Sequence, residues 1–192
     1  MENIFRKRRS IRSYKNKKLP KSLIKELLVL ANLAPTAAGL ENRHFVVIDD
    51  QKIKQKLYEA GCKQEHILKA TTVVALVTDT EKFFTKKELE KIFKDDWEMA
   101  LPQKYDKNYL IWKRLYPVQD ADVAGATLLL AATERGIGSC WVGAFDYPGV
   151  EKILKLPKNW KVICLITLGY LKGKPYPQKR TKIEKLIHWN HW

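Results

Sequence analysis

The residues best suited to chemistry stand near the start of the chain, where Arg8, Arg9, Ser10, Ile11 and Arg12 follow one another. A guanidinium fork makes paired, charge-assisted hydrogen bonds to a phosphate, a geometry that a lysine ammonium does not reproduce. The charge of the whole chain points the same way. Residues 1–21 hold nine basic side chains and one acidic, Glu2, while residues 152–192 hold ten basic and one acidic, Glu184. The intervening 130 residues carry 17 basic and 19 acidic groups, so the net charge of +15 resides in the two ends. A compact fold that joins those ends would suit a polyanion or a phosphorylated cofactor. Nucleic acid is the first polyanion to consider. The chain, however, has no zinc-finger spacing, no basic region running into heptads and no aromatic RNP-like strand. Most individual lysines read as a solvated surface; the arginine cluster does not.

Other reactive side chains carry less. His188 and His191 form an HxxH with no further ligand nearby, so no metal is expected. His44 and His66 read as structural or surface residues. Cys140 has no histidine or acid beside it in sequence and reads as a small buried residue rather than a nucleophile. Cys62, Cys140 and Cys164 are odd in number and lack a CxxC pair, which argues against a disulfide framework or a zinc ribbon. Gly136-Ile137-Gly138 begins like a dinucleotide fingerprint, but a helix precedes it and Trp141 stands where the third glycine is required. Ser10 has no nucleophile-elbow context, and nothing supports covalent hydrolase chemistry.

The elements that must position these residues are legible in outline. Pro20 can open a helix whose apolar face is Ile24, Leu27, Leu28, Ala31 and Ala34, and Pro35 ends it. Thr36 to Arg43 reads as a loop and His44 to Ile48 as a strand. A helix around Ile53 and Leu57 reaches about Ala60, and Thr71 to Val77 is a strand apolar enough for burial on both faces. Lys86 to Glu98 is charged and reads as helical. With Trp97, Tyr105, Tyr109, Trp112 and Tyr116 it reads, on residue pattern alone, either as a mobile cover over a pocket or, in slight preference, as an ordinary peripheral helical pair. Asp120 to Glu134 is apolar nearly all round, which predicts a buried helix. Gly125 and its alanines would admit a second helix at close range, and Gly136 fits the C′ position. Ser139 to Phe145 follows, then a short helix near Val150 to Leu154, a strand over Val162 to Leu168, and an amphipathic close from Ile183 to Trp192. With 192 residues, 45% of them hydrophobic, the chain can bury a substantial core. Helices mixed with three or four strands indicate an α/β or α+β class. No apolar run approaches the ~20 residues that span a bilayer. The opening MENIFRKRRS lacks the apolar segment of a secretory signal, so a reducing, cytoplasmic location is the expectation.

Four segments in register carry a family resemblance. The first is the opening set Arg8, Ser10 and Arg12, and the second is Ala34 to Gly39 leading into the strand. The third is Gly136 to Asp146 after the buried helix, and the fourth is Leu168-Gly169-Tyr170 followed by a Pro/Lys stretch to Arg180. Together they resemble the nitroreductase superfamily of FMN-dependent oxidoreductases, over about residues 5–78 and 116–192. The resemblance implies an α+β, three-layer sandwich with a central, mostly antiparallel sheet flanked by helices. It also implies one domain over 1–192, in which 79–116 is a variable substrate-pocket segment and 171–192 a C-terminal extension. A homodimer with FMN at the interface is implied, with no nucleic-acid or membrane partner. Arg8, Ser10 and Arg12, with Arg9 beside them, match residues that hold the FMN phosphate, ribityl chain and pyrimidine edge. Arg180 and its neighbour Lys179 match a C-terminal phosphate contact. Pro35, Thr36 and Ala37 match a loop reaching the flavin from the other subunit. Trp141, Val142, Gly143 and Ala144 match the strand over one flavin face, the Gly143 N–H directed at N5. Gln64 matches a polar contact to the ring. This chain departs from the family at Gly39, commonly Asn, and at Glu41-Asn42-Arg43, commonly Gln-Pro-Trp. It departs again at Ala70-Thr71-Thr72, often Ala-Pro-Val.

The activity implied is hydride transfer from NAD(P)H to flavin N5, then electron delivery to a quinone, a nitroaromatic or a similar small acceptor. The flavin carries that chemistry, and no catalytic side chain is expected. A fixed cation such as Arg12 would favour the reduced form. Alternatives on the same fold are dehalogenation, flavin fragmentation, and flavin storage or sensing without turnover. A basic nucleic-acid module is the alternative that needs no flavin.

Overall fold

In a computed structural model of the chain, residues 2–85, 87, 88, 91 and 105–192 are described, residues 2 and 105–109 by their backbone alone. Four strands form one sheet: β1 (Arg43–Ile48), β2 (Thr72–Asp79), β3 (Ile137–Val142) and β4 (Trp160–Tyr170), in the order β1-β2-β4-β3 and antiparallel throughout. Because side chains alternate across a strand, the apolar run of β2 supplies both faces. Val74 and Leu76 enter one buried cluster, and Val73, Ala75 and Val77 enter the other.

The first cluster is closed by α2 (Lys21–Asn32) and α5 (Tyr105–Glu134). In α2, Pro20 occupies the N-cap at φ −59, and Ile24, Leu27 and Ala31 recur at helical spacing on the buried face. The second cluster is covered by α3 (Gln51–Leu57), α4 (Glu65–Lys69) and α6 (Tyr147–Ile153), through Leu57, Ile67 and Val150. Asp50 caps α3, its Oδ1 accepting from the N–H groups of Lys52 (2.7 Å) and Ile53 (3.1 Å). The result is the α+β, three-layer arrangement of helices, sheet and helices. A further short helix, α1 (Glu2–Lys7), leads into the arginine segment.

Several expectations are corrected. The long helix starts at Tyr105, not Asp120, and continues through Pro117, so the residue pattern misses its first four turns or so. Nor is it buried all round: Val123 is 40% exposed and Ala126 also faces outward. In α3 the buried residues are Lys54 and Leu57, while Ile53 is exposed. The Lys54 ammonium donates to the carbonyl of Ala70 (2.7 Å), which satisfies a charge the apolar pattern does not foresee. Most of the helix expected over 86–98, and the side chains of Trp97, Tyr105 and Tyr109, lie outside the described residues. Trp112 and Tyr116 are described, and their rings stack at 6.2 Å with Phe83 6.0 Å from Tyr116.

Gly125 has a different use from helix-helix approach. A Cβ there would stand 2.5 Å from Cζ3 of Trp141 and 3.2 Å from Cδ2 of Leu76. The glycine is therefore a notch in α5 that receives the indole from β3. Substituting Gly125→Ala forces the ring or the helix to move, and a cost of about 1–3 kcal/mol in urea unfolding is expected, as for other overpacked cores. The three cysteines are free and buried. Burial pushes the Cys62 thiol up to about 11 and raises Cys140 and Cys164 as well. In a thiol-reagent titration at pH 8 the native protein should react slowly, and denaturant should release all three thiols.

Candidate functional site

The arginine segment is fastened to the sheet before its side chains do anything else. Ser10 bridges Ser139 of β3 in parallel, and Tyr14 bridges Leu171 in antiparallel fashion. The Ile11 N–H donates to the Ser139 carbonyl at 2.8 Å, Lys15 N–H to the Tyr170 carbonyl at 2.8 Å, and Lys172 N–H to the Ser13 carbonyl at 3.0 Å. Close approach is possible because Gly138 and Gly169 face each other across β3 and β4. A Cβ on Gly138 would meet Ile11 Cγ2 at 2.8 Å, and one on Gly169 would meet Tyr14 Cδ1 at 2.8 Å. The buried Tyr14 hydroxyl bonds the Ile11 carbonyl at 2.5 Å and Thr167 Oγ1 at 2.7 Å. Ile11 and Tyr14 thus point inward, which leaves Ser10 and Arg12 exposed and Arg8 half-buried.

Arg8, Ser10 and Arg12 all act on Cys140 of β3. Burial raises the Cys140 thiol, and Arg12, a hydrogen bond with Ser10, and Arg8 each act to pull it down. His66, buried on α4, is lowered by burial and then by the charge of Arg12. Arg9 is turned to the backbone and the tail. Its Nη1 donates to the carbonyls of Arg6 (2.6 Å) and Arg8 (2.7 Å) and to Gln178 Oε1 (3.2 Å). That last bond ties the tail to the N-terminal segment one residue before Lys179 and Arg180, both exposed.

The two residues that follow β3 are held by their carbonyls. Gln64 donates through Nε2 to the Ala144 carbonyl at 3.2 Å, and the Tyr147 hydroxyl donates to the Gly143 carbonyl at 2.9 Å. Gly143 and Ala144 are exposed, Val142 is buried on the α6 side, and the Trp141 ring turns toward α5. Of Trp141 and Val142, only the backbone is therefore left to face a ligand on the exposed edge.

The loop Pro35, Thr36 and Ala37 is bonded to a different set of residues. Ala37 N–H donates to Asp120 Oδ1 at 3.0 Å, and Arg43 donates to the carbonyls of Pro35, Ala34, Asn32 and Asp120. Burial lowers Arg43 while the charges of Asp120 and Glu41 hold it up. Burial raises Asp120, against the Ala37 N–H and Arg43. Sequence reading missed Arg43, Asp120 and the Gly138–Gly169 pair. The signal available for the first was a charged residue where an aromatic one is usual. For the glycines there was none, because their pairing is set by strand register.

Among the described residues, no cluster of His, Cys, Asp or Glu could hold a metal ion, and no helix is long and apolar enough to cross a membrane. Residues 5–170 match the Nitroreductase family. The chain is 28% identical to an NADH dehydrogenase of Thermus thermophilus over 191 residues, 95% of this chain and 92% of that one. A nitroreductase family protein from Streptococcus pneumoniae superposes with a TM-score of 0.80 at 23% identity, covering 98% of this chain and 99% of the other. An FMN-dependent nitroreductase from Clostridium difficile superposes with a TM-score of 0.73 at 25% identity, over 100% of both chains. With most of its length matched and the same fold present, the chain belongs to the nitroreductase family.

Proposed function

We propose that this chain, one domain over 1–192, is an FMN-dependent oxidoreductase that takes hydride from NAD(P)H and passes electrons to a quinone, a nitroaromatic or a similar small acceptor. The observation that carries the reading is the docked segment beside β3, with Ser10 and Arg12 exposed and Arg8 half-buried, tied to the basic tail through Arg9 and Gln178. The donor set fits FMN. Guanidinium forks and a hydroxyl are partners for a phosphate, and Glu2 is the one acidic side chain in residues 1–21. FMN, when bound, supplies hydride acceptance and electron transfer.

The protein's own part is binding and orientation. Arg8 and Ser10 would hold the phosphorylated chain, joined by Lys179 and Arg180 from the tail. Arg12 places fixed positive charge where reduction would develop negative charge, at no reorganisation cost during the reaction. The exposed Gly143-Ala144 backbone, with its carbonyls engaged by Tyr147 and Gln64, leaves a face without side-chain bulk. No side chain is assigned a proton transfer.

A homodimer completes the reading. Val29 on α2, Leu33 just past its end, and Ile111, Leu115 and Val123 on α5 are apolar and exposed. In the tail, Leu186, Trp189 and Trp192 are also exposed, the last fully. A surface of this kind is normally covered by a partner. A second copy would cover it and bring its own Pro35–Ala37 loop to the flavin.

Purified protein supplied with FMN should show flavin absorbance and the mass of a dimer. Anaerobic NAD(P)H should bleach it, and a quinone should restore the colour; bleaching without reoxidation would indicate storage rather than turnover. Loss of one charge-assisted phosphate contact costs about 1.5–3 kcal/mol, so Arg8→Ala should weaken FMN binding roughly ten-fold or more. Lys17→Ala is the control. Its ammonium lies over the Tyr170 ring, 4.8 Å from the centroid, and FMN titration should find its affinity unchanged.

A further inference from the structure

Arg43 opens β1 and is 8% exposed, where the family pattern commonly has tryptophan. Its Nη1 donates to the carbonyls of Pro35 (3.0 Å) and Asp120 (3.1 Å), and its Nη2 to those of Asn32 (2.9 Å) and Ala34 (2.6 Å). Three of these acceptors, Asn32, Ala34 and Pro35, lie at or just past the end of α2. The last carbonyls of a helix have no partner within it, and Pro35 cannot offer an N–H to continue α2. The guanidinium supplies the missing donors, and its planar fork reaches α2, the following loop and α5 at once.

Asp120 completes the arrangement from the other side. It meets Arg43 through its main-chain oxygen, and its carboxylate Oδ1 accepts the Ala37 N–H at 3.0 Å. Both ends of the segment Ala34–Ala37 are therefore bonded to this pair. The arrangement is costly, since Arg43 Nε and Asp120 Oδ2 are buried without a hydrogen-bond partner among the described residues. An apolar side chain of similar volume would avoid burying that charge. What the guanidinium achieves, and an apolar ring cannot, is to bond four carbonyls directly.

We propose that Arg43 is the positioning residue of the cofactor loop, holding Ala34–Ala37 in a single conformation before FMN arrives. The proposal rests on the reading of Pro35–Ala37 as part of the FMN site. Arg43 touches neither cofactor nor substrate; it acts through the loop backbone. Affinity for a ligand falls in proportion to the fraction of protein whose loop is competent to receive it. A variant in which that fraction drops to about a tenth binds FMN about ten-fold more weakly.

The test uses the full-length protein, with and without FMN. Arg43→Lys keeps the charge near Asp120 but has one nitrogen in place of a fork, and Arg43→Trp installs the residue usual in the family. Lys54→Met is the control for plain loss of stability: it removes another buried cation, which bonds Ala70 away from the loop. Hydrogen exchange of the Ala37 amide and its neighbours is measured in FMN-free protein, and FMN affinity by titration. The expected result is exchange at residues 34–40 accelerated, with FMN affinity reduced about ten-fold, in Arg43→Lys. Peptides of β2 and β4 should be unchanged, and Lys54→Met should move neither loop exchange nor FMN affinity. Arg43→Trp, which lacks the four carbonyl bonds, should also exchange faster in the loop and bind FMN more weakly than wild type. Unchanged loop exchange in Arg43→Lys overturns the proposal, as does accelerated exchange with unchanged FMN affinity. Should wild-type protein take up no FMN at all, the flavin reading itself fails, and the exchange comparison still reports whether Arg43 holds the loop.

Discussion

The contact on which the candidate site depends is the seating of Ile11 and Tyr14 against the paired glycines of β3 and β4. Gly138 and Gly169 lie opposite each other, and their missing Cβ atoms leave room for two apolar side chains of the N-terminal segment. The Tyr14 hydroxyl then fastens the segment to Thr167 of β4 and closes a turn onto the segment's own Ile11 carbonyl. Once those two residues face inward, the direction of Ser10 and Arg12 follows from backbone geometry. For Ser10 and Arg12 the apolar contacts set the direction, whereas Arg9 is turned by its own hydrogen bonds. This is why a cluster of like charges can be held close together at an exposed sheet edge.

The same strand is also fixed from the side of α5. Trp141 enters the notch at Gly125, which locks the end of β3 to the middle of that helix. Asp120, a little over one turn earlier on α5, bonds Ala37. The long helix therefore joins the strand that leads to Gly143 and Ala144 to the loop that carries Pro35 and Ala37. Its inner face is committed to the core, while Val123 and Ala126 face outward. One helix thus serves the core, the loop and the apolar surface at the same time.

Much of the fold was legible because its signals are local. The strand β2 reads directly from Thr71 to Val77, since a strand buried on both faces must be apolar at nearly every position. The stop of α2 reads from Pro35, and the left-handed turn after α5 from Gly136, whose φ is +69. The start of α5 did not read. Pro117 is an ordinary stop signal, yet here it is buried within a continuous helix, so tertiary packing overrides a local preference. Lys54 and Arg43 misled for a related reason. Both are charged and buried, and each donates to backbone carbonyls that the chain brings close only after folding.

What the sequence by itself determined was composition and order: where the apolar runs lie, which ends carry the charge, and which side chains could bind a phosphate. Those properties belong to residues or to neighbours a few positions apart, so no fold is needed to read them. Tertiary structure alone decided which glycines face each other, which carbonyls Arg43 would reach, and that Gln178 would meet Arg9 across 169 residues. Such pairings depend on strand register and layer packing, and burial makes them matter. In water each of those polar groups would find another partner; inside the fold it has only the ones the chain brings to it.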